Sequence, residues 1–476
     1  MDRTTAAKPR QTFVLELNEV NFNVLSDLAT AGRLPAFNRL FQTHSAIPTI
    51  AQESYAKLEP WIQWVSAHSG LTQAGHGAFN LTDAQHASFD QLWDVLEDAG
   101  IGCGIVSPMN ARRGRLHKGF YLPDPWSVAR DAYPEALAPI DQFVSERVNN
   151  HNISLEKGSS RAAFAEACLE LGISPRGLAR LGWHYLLSRI DPHRKWRLAA
   201  QFDRFVVEAT LAMMRQRPVG HVSVFLNSVA HYQHHYWTRH NPQRWAQVAP
   251  DLFRQANPLD ATVLRDEDDP ITYGLMAYDR IVARIRRRLP DAQLFVMTAL
   301  SQVPFDGYEG GRGFYLYRPY DHEALAKALD LDALRVVSLM SRDLMLYFKT
   351  DAARSRAMAR LKACRIGTEP LFSFTEEPDS RLFVKVAYTF QADDNTLIEH
   401  GTEPPLPFAP LFKLITFKTG HHHPEGFLLC PPALAPSRDL LVDGRLPVER
   451  MFDVLLSAHG IAAPARVEQE QVRCAS

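Results

Sequence analysis

Cysteine is scarce and scattered in this 476-residue chain: Cys103, Cys168, Cys364, Cys430 and Cys474, with no CxxC spacing. An odd, dispersed set excludes a disulfide framework or a zinc knuckle and predicts reduced thiols. An excess of one charge is lacking too, since 52 Lys plus Arg stand against 53 Asp plus Glu, a formal net charge of −1. A surface that tracks phosphate backbones needs a basic excess or stripe, so no nucleic-acid partner is expected. No run approaches the ~18 uninterrupted apolar residues of a membrane span. The opening stretch MDRTTAAKPRQ has neither the apolar core nor the small-residue cleavage site of a secretory signal. Together these absences predict a cytoplasmic protein with no membrane span. Internal repeats and low-complexity tracts are missing as well.

At 46% hydrophobic and 22% charged, the composition is that of a globular chain long enough for a sizeable core. Thr12–Leu17 (TFVLEL) reads as a short buried strand, because β-branched and aromatic residues dominate a run too short for a helix. Helical spacing follows over Phe22–Leu40, broken at Gly32-Arg33-Leu34-Pro35. Phe89–Ala99 reads as a helix, Ile101–Val106 and Val222–Leu226 as strands, Gly274–Arg288 as an amphipathic helix and Leu294–Thr298 as a further strand. This alternation predicts an α/β fold, a central mostly parallel sheet flanked by helices. Its core segments are 1–126, 219–314 and 411–476. Residues 127–218 read as a helical insertion, or cap, and 315–410 as a second, less regular insertion rich in charge and proline. In open α/β sheets ligands sit at the carboxyl ends of strands. Chemistry is therefore expected at Asn18-Glu19, Glu59-Pro60, Asn227–His235, Ala299–Gln302 and the Gly420–His423 turn.

Several segments, in chain order, resemble the alkaline phosphatase superfamily in its type I phosphodiesterase/nucleotide pyrophosphatase-like branch. They are LELNEVNFNVLSDLATAGRLPAFNRL (15–40), WIQWVSAHSGLTQAGHGAFNL (61–81), LWDVLEDAGIGCGIVSPMNA (92–111), FYLPDPWS (120–127), HYQHHYW (231–237), AYDRIVARI (277–285) and GHHHPEG (420–426). The resemblance implies an alkaline phosphatase-like sandwich with insertion lobes, two divalent metals and a Thr or Ser nucleophile. A metal pair, ~3.5–4 Å apart in such sites, suits phosphoryl transfer by activating the nucleophile and holding charge on the non-bridging oxygens.

Position by position, most of that equipment is substituted. The first metal-binding Asp of the family falls on Asn18, the nucleophile on Pro60 (or Glu59 with one residue of slip), the Asp four residues before His234 on Ala230, and a paired Asp-His on Ala299 and Leu300. His234 and His422 keep the family's ligand type. One half-site thus retains two of three ligands, while the other retains none with a full charge.

The expected centre is a single divalent metal, Zn²⁺ or Mn²⁺, held by His234 and His422 with a third ligand from His231, Glu59 or a neighbour. Three protein ligands plus a water is the usual catalytic count. Glu59, beside the nucleophile position, is the candidate catalytic residue, as base or nucleophile; as the residue before a helix-initiating Pro it would also favour the helix dipole. Asn18, Glu19, Asn227 and Ser228 are candidates for substrate binding. Glu19 stands where the family has Gly, so a changed backbone is expected there. Glu16 is expected to face the site or pair with a buried Arg, His76 to pack the turn after its helix, and His421 and His423 to be solvated; Asp306 is a further carboxylate of interest. These residues imply a hydrolase or transferase of a small phosphorylated (or sulfated) or glycan-type substrate. The alternative is a non-catalytic protein binding a ligand or partner on the same scaffold, in surface-polysaccharide metabolism.

Overall fold

A computed structural model of the chain describes residues 11–51, 58–149, 159–240, 268–304, 314–339 and 342–463, together with Gln243 and Arg265. Asp306 lies outside the described residues. Strand β1, Thr12–Leu17, is buried at all six positions because it is sandwiched within a sheet covered on both faces. That is why its sequence runs apolar where a half-exposed strand would alternate. The other strands of this sheet are β2 (Ser45–Ile50), β3 (Cys103–Val106), β4 (Phe120–Leu122), β5 (His221–Leu226) and β6 (Gln293–Thr298). Strands β7 (Ser301–Pro304) and β8 (Gly420–His423) pair with each other in a separate two-stranded sheet, while β9 (Glu425–Cys430) and β10 (Leu446–Pro447) belong to the large sheet, where both flank β2.

The eight-stranded order is β10-β2-β9-β6-β1-β5-β3-β4. Strand β1 pairs in parallel with both β5 and β6. Among the described residues, only β9 runs antiparallel in this sheet, between β2 and β6. The sheet is therefore mostly parallel, as expected, and β1 lies at its centre. Phe13, Leu15 and Leu17 of β1 face one apolar cluster, while Val14 faces another. The first cluster is built with helices α1 (Phe22–Thr30) and α2 (Pro35–Thr43), the second with α3 (Pro60–Ser69) and α4 (Leu92–Asp98). Three longer helices, α5 (Leu198–Gln216), α6 (Ser228–His240) and α7 (Pro270–Arg288), complete the first face.

Helix α6 begins directly after β5, and its exposed-end donors are met from another helix. Asp203 of α5 accepts from Ser228 N at 2.9 Å and from the Tyr278 hydroxyl at 2.9 Å. Burial pushes the Asp203 carboxyl up, and those donors hold it down in part. A carboxylate at a helix N-terminus is stabilised by the free N–H groups and the dipole.

Two expectations need correction. The segment 315–410 is not irregular: Phe372–Glu377, Arg381–Val386, Asp343–Tyr347 and Arg335–Ser338 form an antiparallel four-stranded sheet. Arg381–Val386 buries every second residue, a period-two pattern masked by its charged outer face. The Gly420–His423 segment is not a turn either but a strand, paired antiparallel with β7. Among the described residues, no helix is long and apolar enough to cross a membrane. Cys103, Cys168, Cys364 and Cys430 are free and buried.

Replacing Asp203 by Ala strands the Ser228 N–H and the Tyr278 hydroxyl in a buried setting, at a cost of about 1–3 kcal/mol for the unmet donors. A urea titration is expected to show a lower midpoint with unchanged slope; an unchanged midpoint contradicts this role for Asp203.

Candidate metal centre

The chain leaves β1 through Asn18 and Glu19, and Glu19 adopts φ +55°. That left-handed conformation costs a residue bearing a Cβ about 1–2 kcal/mol. Three tertiary contacts impose it. The Glu19 carbonyl accepts from Gln302 N at 3.1 Å and from Gln233 Nε2 at 2.5 Å, and the Gln302 side-chain amide donates to Glu19 Oε2. The conformation is one that favours glycine, the residue that the resemblance puts here, and a glutamate occupies it. Its carboxylate is only 1% exposed.

Two imidazoles meet that carboxylate. His234 Nε2 lies 3.2 Å and His422 Nε2 3.3 Å from Glu19 Oε2, with the rings 5.6 Å apart and inclined by 74°. The three residues offer ligand atoms that all lie within 4.8 Å of one another. His234 is delivered by α6, next to Gln233, whose side chain also accepts from Asn21 N at 3.1 Å. The helix is broken just beyond, at Tyr236 (φ −132°, ψ 24°). His422 comes from β8, opposite Gln302 of β7, and strand alternation sets it apart from His421 and His423. Gly420 permits this approach of β8 to α6, since a Cβ there would sit 2.5 Å from Trp237 Nε1.

Burial would push the Glu19 carboxyl up, but His234 and His422, as charges and hydrogen-bond partners, hold it well below its usual range. A buried anion needs a compensating cation, either an imidazolium or a metal ion among the three groups. The donor set fits the latter. One carboxylate with two imidazoles is a known catalytic zinc set, and bonds of ~2.0–2.1 Å in a tetrahedron put ligand atoms about 3.3 Å apart. The observed 3.2 and 3.3 Å match that edge. Glu59 Oε2 lies 3.5 Å from the other ring nitrogen of His422, Nδ1, the position from which a carboxylate orients a ligating imidazole. Although Glu59 precedes α3, its side chain makes no capping hydrogen bond.

Asn18 serves Glu19. Its Nδ2 donates to Glu19 Oε1 at 3.0 Å and to Asn227 Oδ1 at 2.8 Å, while its Oδ1 accepts from Trp64 Nε1 at 2.9 Å. The indole N–H therefore sets the orientation of the amide. Asn227 is half-buried at this edge, whereas Ser228 is buried with Asp203 and Tyr278. His231 is exposed, its ring 4.6 Å from that of His235, and it is not among the three converging residues. Glu16 meets neither the site nor an Arg; it faces His68 Nε2 at 3.1 Å, with both groups buried. His76 packs α3, its Nε2 3.1 Å from Ser66 Oγ and its Nδ1 accepting from Ala78 N. His421 and His423 are half-buried, not solvated, and His423 Nδ1 accepts from Glu425 N at 3.3 Å. Pro60, Ala230, Ala299 and Leu300 are buried and carry no ligand atom. Sequence reasoning missed Gln233 and Gln302, and it singled out Glu19 for substrate binding and not as the carboxylate that converges with His234 and His422. The usable signal was a carboxylate one residue beyond the position where Asn18 replaces an Asp.

Glu19→Gly separates backbone strain from ligation. It relieves the left-handed residue, about 1–2 kcal/mol, but strands the Gln302 amide that donates to Glu19 Oε2, about 1–3 kcal/mol. Thermal stability in the absence of metal is therefore expected to change little while Zn²⁺ affinity falls by roughly a hundredfold or more. Calorimetric titration of wild type and variant checks this; equal Zn²⁺ affinity contradicts it.

No family model and no curated protein sequence matches the chain. Solved structures that it is similar to include a phosphonoacetate hydrolase from Sinorhizobium meliloti 1021 in complex with phosphonoacetate, at 15% identity, covering 96% of each chain with a TM-score of 0.42. Murine ectonucleotide pyrophosphatase/phosphodiesterase 5 with AMP is similar at 10% identity, over 96% of this chain and 97% of that one, with a TM-score of 0.39. Thermus thermophilus alkaline phosphatase is similar at 12% identity, over 97% of this chain and 96% of that one, with a TM-score of 0.40.

Proposed function

We propose that the chain is a divergent member of the alkaline phosphatase superfamily that hydrolyses or transfers a phosphate (or sulfate) ester at a single divalent metal, Zn²⁺ or Mn²⁺. The observation that carries this reading is the convergence of Glu19, His234 and His422 at the carboxyl end of the central strand. Glu19 Oε2, His234 Nε2 and His422 Nε2 would hold the ion. A divalent cation there would supply Lewis acidity toward a phosphoryl oxygen and neutralise charge developing on it.

The remaining steps belong to the protein's own groups. Glu59, partly exposed at the rim, takes the proton of the attacking water or alcohol at Oε2 as its oxygen bonds to phosphorus. The bond from phosphorus to the leaving oxygen breaks, and the proton held on Glu59 is available to that alkoxide. Between turnovers Glu59 orients His422 through Nδ1. Asn227, half-buried at the same edge and oriented by the buried Asn18, offers a neutral amide to a small phosphorylated or glycan-linked substrate. Ser228 and His231 belong to the scaffold in this reading. The thiols remain reduced in a cytoplasmic protein.

A second reading, a protein that binds such a ligand without turning it over, is favoured by one observation. Pro60, Ala299 and Leu300 stand where the resemblance puts a nucleophile and a second metal pair. The two separate on activity with metal loaded. Assays with p-nitrophenyl phosphate, bis-p-nitrophenyl phosphate and p-nitrophenyl sulfate in Zn²⁺ or Mn²⁺ are expected to show turnover of at least one ester. Glu59→Gln is expected to lower kcat by about 10²–10⁴ with metal content retained, and His234→Ala to lose both metal and activity. No turnover of any ester by metal-loaded protein contradicts the catalytic reading and favours the binder.

A further inference from the structure

The helical insertion carries a surface that the proposed site does not use. Its helix Pro175–Ile190 (PRGLARLGWHYLLSRI) contains no Asp or Glu. It leaves Trp183 58%, Leu186 49% and Ile190 71% exposed. At about 100° per residue these three fall within roughly 60° of arc, with Arg176 and Arg180 on one flank and Arg189 on the other. Single exposed apolar residues are ordinary, but an aromatic and two branched aliphatics on one cation-flanked face are not scatter.

Charge along this segment is one-sided, although Arg197 is paired with Asp268 at 3.1 Å. Residues 175–197 hold Arg176, Arg180, Arg189, Arg194, Lys195 and Arg197 against a lone carboxylate, Asp191. Asp191 is already engaged by Arg194 at 3.2 Å and Arg265 at 2.6 Å. Glu208, the carboxylate near Arg180, is shared with Arg284. Among the described residues no carboxylate lies within ion-pair reach of Arg176, Arg189 or Lys195. The field is felt by a neighbour: burial pushes the His184 imidazole down, and Arg204, Arg180, Arg197 and Arg194 push it further.

We infer that this helix docks the protein on an anionic lipid surface, with Trp183, Leu186 and Ile190 entering the headgroup boundary and the flanking cations meeting lipid phosphates. An apolar strip edged by arginines, with a Trp at its margin, is the arrangement of helices that lie in a membrane interface. Anionic lipid attracts each such cation by about 1 kcal/mol near the surface. A second copy of the chain is a poorer occupant, because an isologous contact would set this cationic face against itself.

The test uses the full chain, sedimented with vesicles of phosphatidylcholine alone and of phosphatidylcholine mixed with phosphatidylglycerol, at low and high salt. The expected result is co-sedimentation with the mixed vesicles only, weakened by salt. The triple variant Trp183→Ser/Leu186→Ser/Ile190→Ser and the double variant Arg176→Glu/Arg189→Glu are each expected to weaken it by about tenfold or more. All these side chains are on the surface, and unchanged circular dichroism and thermal midpoint confirm intact folds. Wild-type protein left in solution beside mixed vesicles at low salt overturns the proposal. So does a triple variant that binds them equally well, or a wild-type dimer that the triple variant abolishes.

Discussion

A single carboxylate, that of Glu19, sits where the constraints on this structure meet. It leaves the central strand of an eight-stranded sheet, in a backbone conformation that glutamate adopts at a cost, and it is buried as an anion. Neither condition is sustained locally. Gln302 and Gln233 hold the carbonyl, Asn18 holds Oε1, and His234 and His422 face Oε2. Strain of this kind persists only where the surrounding structure over-determines it, and it collects at functional sites. The desolvated negative charge gives the two imidazoles their reason to converge, and would give a cation among the three groups its place.

The scaffold supplies that over-determination through packing. Strand β1 is locked between β5 and β6, so the exit point of Glu19 is fixed by ladders on both sides. Helix α6 starts from β5, is anchored by Asp203 and carries Gln233 and His234 on consecutive positions. One residue therefore braces the Glu19 backbone while the next meets its side chain. Strands β7 and β8 do the same from the other side, since Gln302 and His422 are opposite each other in the ladder. Each half of the site thus brings a brace and an imidazole, and Gly420 lets the two halves close upon one another.

Much of the fold was legible because it rests on local pattern. Thr12–Leu17 was read to the residue, since a continuous apolar run of β-formers belongs to a strand covered on both faces. The break at Gly32–Pro35 separated α1 from α2 as turn chemistry requires. The lobe after β7 was not legible, because a sheet with one charged face looks like a loop when charge and proline are counted without phase. At the site, His234 and His422 emerged from motif spacing, but Glu19 did not emerge as their partner. Its left-handed backbone depends on hydrogen bonds from Gln233 and Gln302, more than 200 residues away along the chain, and no local pattern carries that information. The neighbouring Asn18 suggested a vacated ligand position. The carboxylate that converges with the two imidazoles is one residue further on, at Glu19.

The most direct test of the central claim is anomalous diffraction from crystals of the full chain loaded with Zn²⁺, collected on both sides of the zinc absorption edge. The account predicts one strong anomalous peak at about 2.0–2.2 Å from Glu19 Oε2, His234 Nε2 and His422 Nε2. A loaded crystal with no peak among these three atoms, or with zinc held elsewhere while the three side chains keep their present contacts, would contradict it.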